Sequence, residues 1–190
     1  MCGSYVIEIS DVELAEIIAE VQKKFPGEKL DTSDIYPKNK APLLMRQGAQ
    51  TWWQPAIWGL PQYANKPGVI FNARAESVEE KPAFRDSFLF KRCAVPSSGF
   101  YEWTKIPPKR KYLFRLPGEN LLYMAGLAKE IASSQRFVIL TTAANASVAE
   151  IHHRMPVILT QDQLTAWLND VDFARRILAG QMPALAKNVA

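Results

Sequence analysis

A cysteine directly behind the initiator methionine, in "MCGSY", offers chemistry that no internal residue has. With Met1 removed, Cys2 presents an α-amine and a thiol on neighbouring carbons. Unperturbed, these groups have pKa values near ~8 and ~8.5, so both are partly deprotonated at neutral pH. The amine condenses with an aldehyde to a Schiff base, and the thiol then closes a five-membered thiazolidine ring. A lysine would stop at the hydrolysable Schiff base. Gly3 suits close approach of backbone to a ligand. The plain alternative is a cysteine that stands here by accident, and with Met1 attached the amine chemistry is absent.

Further along, "FNARAE" alternates, and as a strand it places Asn72, Arg74 and Glu76 on one face. Arginine suits bidentate phosphate binding, and an amide both donates and accepts. A solvated strand face has the same pattern. In "SGFYEW", Glu102 stands between Tyr101 and Trp103. A carboxylate among aromatics is desolvated, which raises its pKa and makes it a candidate general acid or base. An ion-paired structural residue is the alternative. The adjacent pair His152 and His153 lies in "IHHRMP". In extended chain their side chains point apart, so one of them faces a given site. A histidine near neutral pKa moves protons, and a surface or capping histidine does not need to. No Cys/His set has metal-ligand spacing, so no metal is expected. Phosphate-loop, dinucleotide, nucleophile-elbow and zincin motifs are also absent. Trp52, Trp53, Trp58 and Tyr63 are close in sequence and could stack on bases, although burial in a core is the commoner fate of such residues.

These residues need a scaffold. The chain has 190 residues, 48% of them apolar, enough for a sizeable core. Two distant cysteines make no disulfide framework, and the net charge of +4 permits nucleic-acid binding without requiring it. Glu8, Asp11 and Glu13 interrupt any leader-like start, and no run approaches the ~20 apolar residues of a membrane span. The expectation is a cytoplasmic protein. "SYVIEI" reads as a strand. Ser10 with Glu13 reads as a capping box opening a helix that "PG" at 26–27 ends. Residues 28–41 read as loop. "PLLMR" and "TWWQPAIWG" read as strands joined by a turn, followed by "GVIFNARAE" as one strand and "PAFRDSFLF" as a short helix with Pro82 in its first turn. "RCAVPSSGFYEW", "KYLFRL", "LLYMAGLA" and "RFVILTT" read as strands. "NASVAEIHHRMPVIL" reads as a helical turn leading to a strand, and Thr160 with Gln163 opens a last helical pair closed by Gly180. The expected fold class is α+β: one domain, residues 1–190, with a β-rich curved sheet or open barrel of mixed strands and peripheral helices.

The order of the motifs carries more than any one of them. "MCG", "WG" followed by "NARAE", "GFYEW" and "TTAA…IHHRMPVIL" together resemble the SOS-response-associated peptidase (SRAP) family of abasic-site-processing proteins, here as a short form. The resemblance runs from Cys2 to about Leu159. It implies that Cys2 links covalently to the aldehyde of an abasic site in single-stranded DNA. Asn72 would hold that linkage and Arg74 would grip a flanking phosphate. Glu102 would shuttle protons at the ring or amine, and His152 would help open the sugar and protonate its oxygen. His153 falls at a variable position and is assigned no role. Gly3, Asn39 and Pro42 (the latter two in "YPKNKAP") and Tyr63 in "LPQYANKPG" would meet DNA. The resemblance implies a monomer, no cofactor, no metal and no membrane partner. It also carries a peptidase-like activity linked to removal of Met1. Two alternatives stay open: a thiol peptidase with Cys2 as nucleophile and His152 as base, and a non-covalent single-strand-binding module.

Overall fold

The computed structural model describes residues 2–48, 50–62, 67–105 and 107–190. In chain order the elements are β1 (Ser4–Ile7), α1 (Val12–Lys24), β2 (Ser33–Ile35), β3 (Lys40–Gln47), β4 (Gln50–Trp58), β5 (Leu60–Pro61), β6 (Val69–Ile70) and β7 (Asn72–Arg74). There follow α2 (Arg85–Phe90), β8 (Arg92–Ser97), β9 (Gly99–Trp103), β10 (Lys111–Arg115), β11 (Leu122–Ile131) and β12 (Ser134–Ala143). The last are α3 (Ala146–Ala149), β13 (Arg154–Pro156), β14 (Ile158–Leu159), α4 (Leu164–Asn169), α5 (Val171–Ala179) and β15 (Ala186–Val189). The α+β, strand-rich class expected from the sequence is what the chain adopts.

Strands β4, β3, β8, β11 and β12 pair in succession, and β12 returns to β4, so the sheet closes on itself. The closing contact is parallel, Arg136 opposite Ile57 and Phe137 opposite Trp58; the other four pairings are antiparallel. A second sheet has the order β15-β10-β9-β1-β2. Strand periodicity explains how both faces of the ring are buried. Leu43, Met45, Cys93, Val95, Phe137 and Ile139 join a core with Tyr5, Ile7 and Phe100 of the second sheet and with Leu14, Ile17 and Val21 of α1. Their alternates Leu44, Ala94, Val138 and Leu140 pack with Phe88, Trp167, Leu168 and Ala174 from α2, α4 and α5.

The two sheets are stitched where β8 becomes β9. The Ser98 N–H donates to Val6 O at 2.8 Å, Ser98 Oγ accepts from the Glu8 N–H at 2.9 Å, and Ser97 Oγ donates to Gly99 O at 2.7 Å. A Cβ at Gly99 would lie 2.6 Å from Phe114 O, so only glycine permits this crossing. The "SSG" inside the expected long strand is therefore a corner, and one run becomes two strands in two sheets.

Other local expectations need correction. Asp11, not Ser10, caps α1, accepting from the Leu14 N–H at 3.0 Å. The loop expected over 28–41 contains β2, whose Ile35 is buried opposite Tyr5. "GVIFNARAE" is two short strands, and Arg74 is followed by a 3-10 turn, Ala75–Ser77. Glu76 thus leaves the strand face assigned to it. Pro82 precedes α2 rather than lying in its first turn. The Thr160–Gln163 capping box is present with both arms, and Gly180 caps α5.

Candidate functional site

Register brings the site residues to one end of the fold. In the second sheet Ser4 pairs with Tyr101 across the antiparallel β1–β9 contact. Cys2 lies two residues before Ser4 and Glu102 one residue after Tyr101, so both lie at the same end of that pair. On the ring, β12 is flanked along its second half by β7 and β13. Ile139 pairs with Asn72, Thr141 with both Arg74 and Pro156, and Ala143 with Arg154. That places Asn72 and Arg74 across one strand from the turn that carries His152.

A hydrogen bond ties Asn72 of the ring to the N-terminal strand: Asn72 Nδ2 donates to the Cys2 carbonyl at 2.8 Å. Asn72 Oδ1 is buried and has no hydrogen-bond partner among the described residues. A buried amide oxygen left this way is an acceptor in reserve. Cys2 is fully buried, and its Sγ donates to Ser4 O at 3.5 Å. Burial pushes the Cys2 thiol far above its usual range, and the charge of Glu102 adds to the shift.

Glu102 and His152 are brought close together. Glu102 is buried, and burial raises its carboxyl above the ordinary range. Burial also pushes His152 down, to about 4. His152 Nδ1 is 3.9 Å from Glu102 Oε1. The same Nδ1 accepts from the Arg154 N–H at 3.0 Å and lies 3.2 Å from Arg154 O. A neutral ring uses the first contact, and a protonated ring would donate through the second. The turn therefore holds the ring in one orientation in either state. Burial acts against the charged form of both groups, raising the carboxyl and lowering the imidazole, which draws their two proton affinities toward each other.

The two histidines do not point apart. Their rings stack at 4.5 Å with an interplanar angle of 28°. The chain at 151–153 is a turn and bend rather than a strand, which removes the alternation. His152 is half-buried and His153 exposed, so the two still differ in what they face.

Arg74 is exposed and makes no hydrogen bond or ion pair among the described residues. Glu76 is not part of a phosphate-facing row: its carboxylate takes both arms of Arg154, at 2.6 and 2.9 Å. Arg154 also donates to Thr141 O. This residue, which sequence reasoning passed over, ties the "NARAE" and "IHHRMP" segments together across β12. Its signal was its place in β13, two residues beyond His152. The charges of Lys105, Arg154 and Arg74 all act on His153, so cations gather around this end of the molecule. Gly3 is half-buried between Cys2 and β1. Asn39 shapes the β2–β3 turn, its Oδ1 accepting from the Tyr36 N–H at 2.7 Å. Pro42 is buried within β3 opposite Pro55. Tyr63 lies outside the described residues. Trp58 is fully buried and donates to Phe71 O at 2.8 Å, Trp52 packs on Phe25 and Trp53 on Tyr123, so these aromatics belong to the core. Among the described residues no cluster of His, Cys, Asp or Glu could hold a metal ion.

The family model described as SOS response associated peptidase (SRAP) matches residues 1–187. The chain belongs to the SRAP family. Abasic site processing protein YoqW of Bacillus subtilis is 32% identical, across 94% of this chain and 86% of the relative. Abasic site processing protein YedK of Escherichia coli is 25% identical, across 88% and 79%. Among solved structures, a Bacteroides thetaiotaomicron protein superposes with a TM-score of 0.79 at 25% identity, covering 99% of this chain and 91% of that one. No described helix is long and apolar enough to cross a membrane.

Proposed function

We propose that this SRAP protein captures abasic sites in single-stranded DNA by forming a thiazolidine with Cys2. The observation that carries the reading is the convergence at Cys2. Asn72 from the ring holds its carbonyl, while Glu102 and His152 from opposite halves stand beside it. The names of the relatives, which call them abasic site processing proteins, support it.

Met1 must leave first, through the chain's own peptidase activity or a cytosolic aminopeptidase, because the Cys2 nitrogen is otherwise an amide. The abasic sugar is mostly a closed ring. Glu102 and His152 serve as the acid–base pair at its ring oxygen and its hydroxyl, one giving a proton as the other takes one, and the aldehyde opens; such help is worth about 10²–10⁴-fold. The Cys2 amine adds to the aldehyde carbon and the carbinolamine loses water to give the imine. The sulfur then bonds to the same carbon, and the thiol proton ends on the nitrogen. The sum is aldehyde plus Cys2 giving thiazolidine plus water. Closing the ring removes the iminium that would drive β-elimination, so the strand stays intact. Asn72 Oδ1 is the acceptor reserved for the linkage N–H or a sugar hydroxyl. Arg74 holds a flanking phosphate. No base is read, because the lesion has none. The protein acts as a monomer in the cytoplasm, on nucleoid DNA. A thiol peptidase would need a thiolate–imidazolium pair, and burial here drives both Cys2 and His152 toward the neutral state.

Denaturing electrophoresis after incubation with an abasic oligonucleotide tests this. The parent gives a shifted band that survives denaturation. Cys2→Ser gives one only when the Schiff base is trapped by reduction. A denaturation-stable band from Cys2→Ala without reduction would remove the thiol from the mechanism.

A further inference from the structure

Beside His152 a cleft of about 520 Å³ opens between the β9–β10 connection and the α3–β13 turn. Its size is that of a small-ligand site. His152 lies in its wall, so the cleft adjoins the proposed site. Its outer rim has the groups a nucleotide needs. Pro107 and Pro108 are exposed apolar rings, His153 is an exposed planar ring, and Lys105 and Arg110 are exposed cations. The Arg110 guanidinium has no ion pair among the described residues. The Lys105 ammonium donates to His153 Nδ1 at 3.0 Å, and its charge also reaches Glu102. The one carboxylate in the wall, Glu150, is already paired with Lys187. His153 stacks on His152 by one face only, and Lys105 at its Nδ1 requires the neutral ring. A neutral, exposed aromatic ring braced from behind is a stacking platform, and two cations beside it are a phosphate seat.

We propose that this cleft is a subsite for the nucleotide adjacent to the abasic sugar. The base lies against His153, and the phosphate on Lys105 and Arg110. The subsite positions the lesion against His152 and takes no part in the chemistry. It rests on the reading of the site as one that binds abasic single-stranded DNA.

The test measures equilibrium binding of single-stranded oligonucleotides carrying the stable tetrahydrofuran analogue of an abasic site, with crosslinking of true abasic DNA alongside. Three oligonucleotides are compared: both neighbours intact, or the neighbour on one side or the other replaced by a second tetrahydrofuran. His153→Ala weakens binding about fivefold or more, the scale of one lost base stack. Removing the neighbour on one side erases that difference, and removing the other does not. His153→Phe restores affinity. Lys105→Ala lowers the salt slope by about one contact without changing the preference for neighbours. Variants that bind all three oligonucleotides like the parent, or lose equally on all three, overturn the subsite while leaving abasic capture standing. A parent that neither binds nor crosslinks abasic DNA overturns the underlying reading, and the subsite with it.

Discussion

At the scale of single residues, the account turns on two groups, buried Glu102 and half-buried His152, whose pKa values move in opposite directions. Burial pushes His152 down to about 4, against 6.5 for an ordinary imidazole. Between those values the unfolded chain binds a proton that the folded one does not. Stability is therefore lost as pH falls from the upper value through the lower. Glu102 is raised, so the folded state holds its proton above the range where the unfolded chain releases it. Its contribution is present at low pH and is lost as pH rises through the folded value. Two outcomes follow. Nuclear magnetic resonance of the imidazole should place the His152 midpoint well below 6, and a midpoint near 6.5 would show that burial does not control it. Glu102→Gln removes a carboxyl whose ionised form is penalised by burial. Its thermal midpoint at neutral pH should rise while the capture rate falls about 10²–10⁴-fold. A lower midpoint with unchanged capture would assign Glu102 to structure alone.

At the scale of elements, the fold places short strands accurately by tying their ends. Arg154 links the 3-10 turn after β7 to β13 through Glu76 and Thr141. Glu76→Ala should cost about 1 kcal/mol, the upper end for a half-exposed pair, and should also slow capture, because it frees the turn behind Asn72 and His152 together. Denaturant unfolding with capture kinetics checks both; a stability loss with no kinetic effect would uncouple the tie from the site. Buried Arg92 has a comparable task away from the site. It donates to Trp167 O, Phe88 O, Leu89 O and Leu168 O, collecting the carbonyl ends of α2 and α4. Arg92→Met should cost about 3 kcal/mol and leave the crosslink chemistry intact. Legibility in the sequence follows the same logic. Long strands with branched runs, such as β11 and β12, are written in local periodicity, as is the capping box before α4. β2 and the exposed β15 are short and polar, and they exist because β1 and β10 offer them an edge, which no local pattern encodes. The Ser97–Gly99 corner was hidden because both flanking strands are equally apolar. Residue type and motif order single out Cys2, Asn72, Glu102 and His152 as candidates, and the fold brings Asn72 to Cys2 and His152 to Glu102. Arg154 could not be singled out in this way, because its partners lie 13 and 78 positions away.

At the scale of the whole molecule, the site exists only because two sheets meet. β1 and β9 bring Cys2 and Glu102, while β7 and the turn before β13 bring Asn72 and His152. Neither sheet holds a complete set. The net charge of +4 is modest, so binding should depend on a few cations gathered near the site rather than on a general field. Arg74→Ala should weaken binding to single-stranded DNA and lower the salt slope by about one contact. A salt titration that gives the parent slope would remove Arg74 from the phosphate. The central claim is that Cys2 becomes the N-terminus and bonds to the lesion. Intact-mass spectrometry tests it most directly, on protein lacking Met1, alone and after incubation with abasic single-stranded DNA. The account predicts a denaturation-stable species at the sum of protein and oligonucleotide masses less one water. Protein that lacks Met1 and stays at its own mass after that incubation would contradict it.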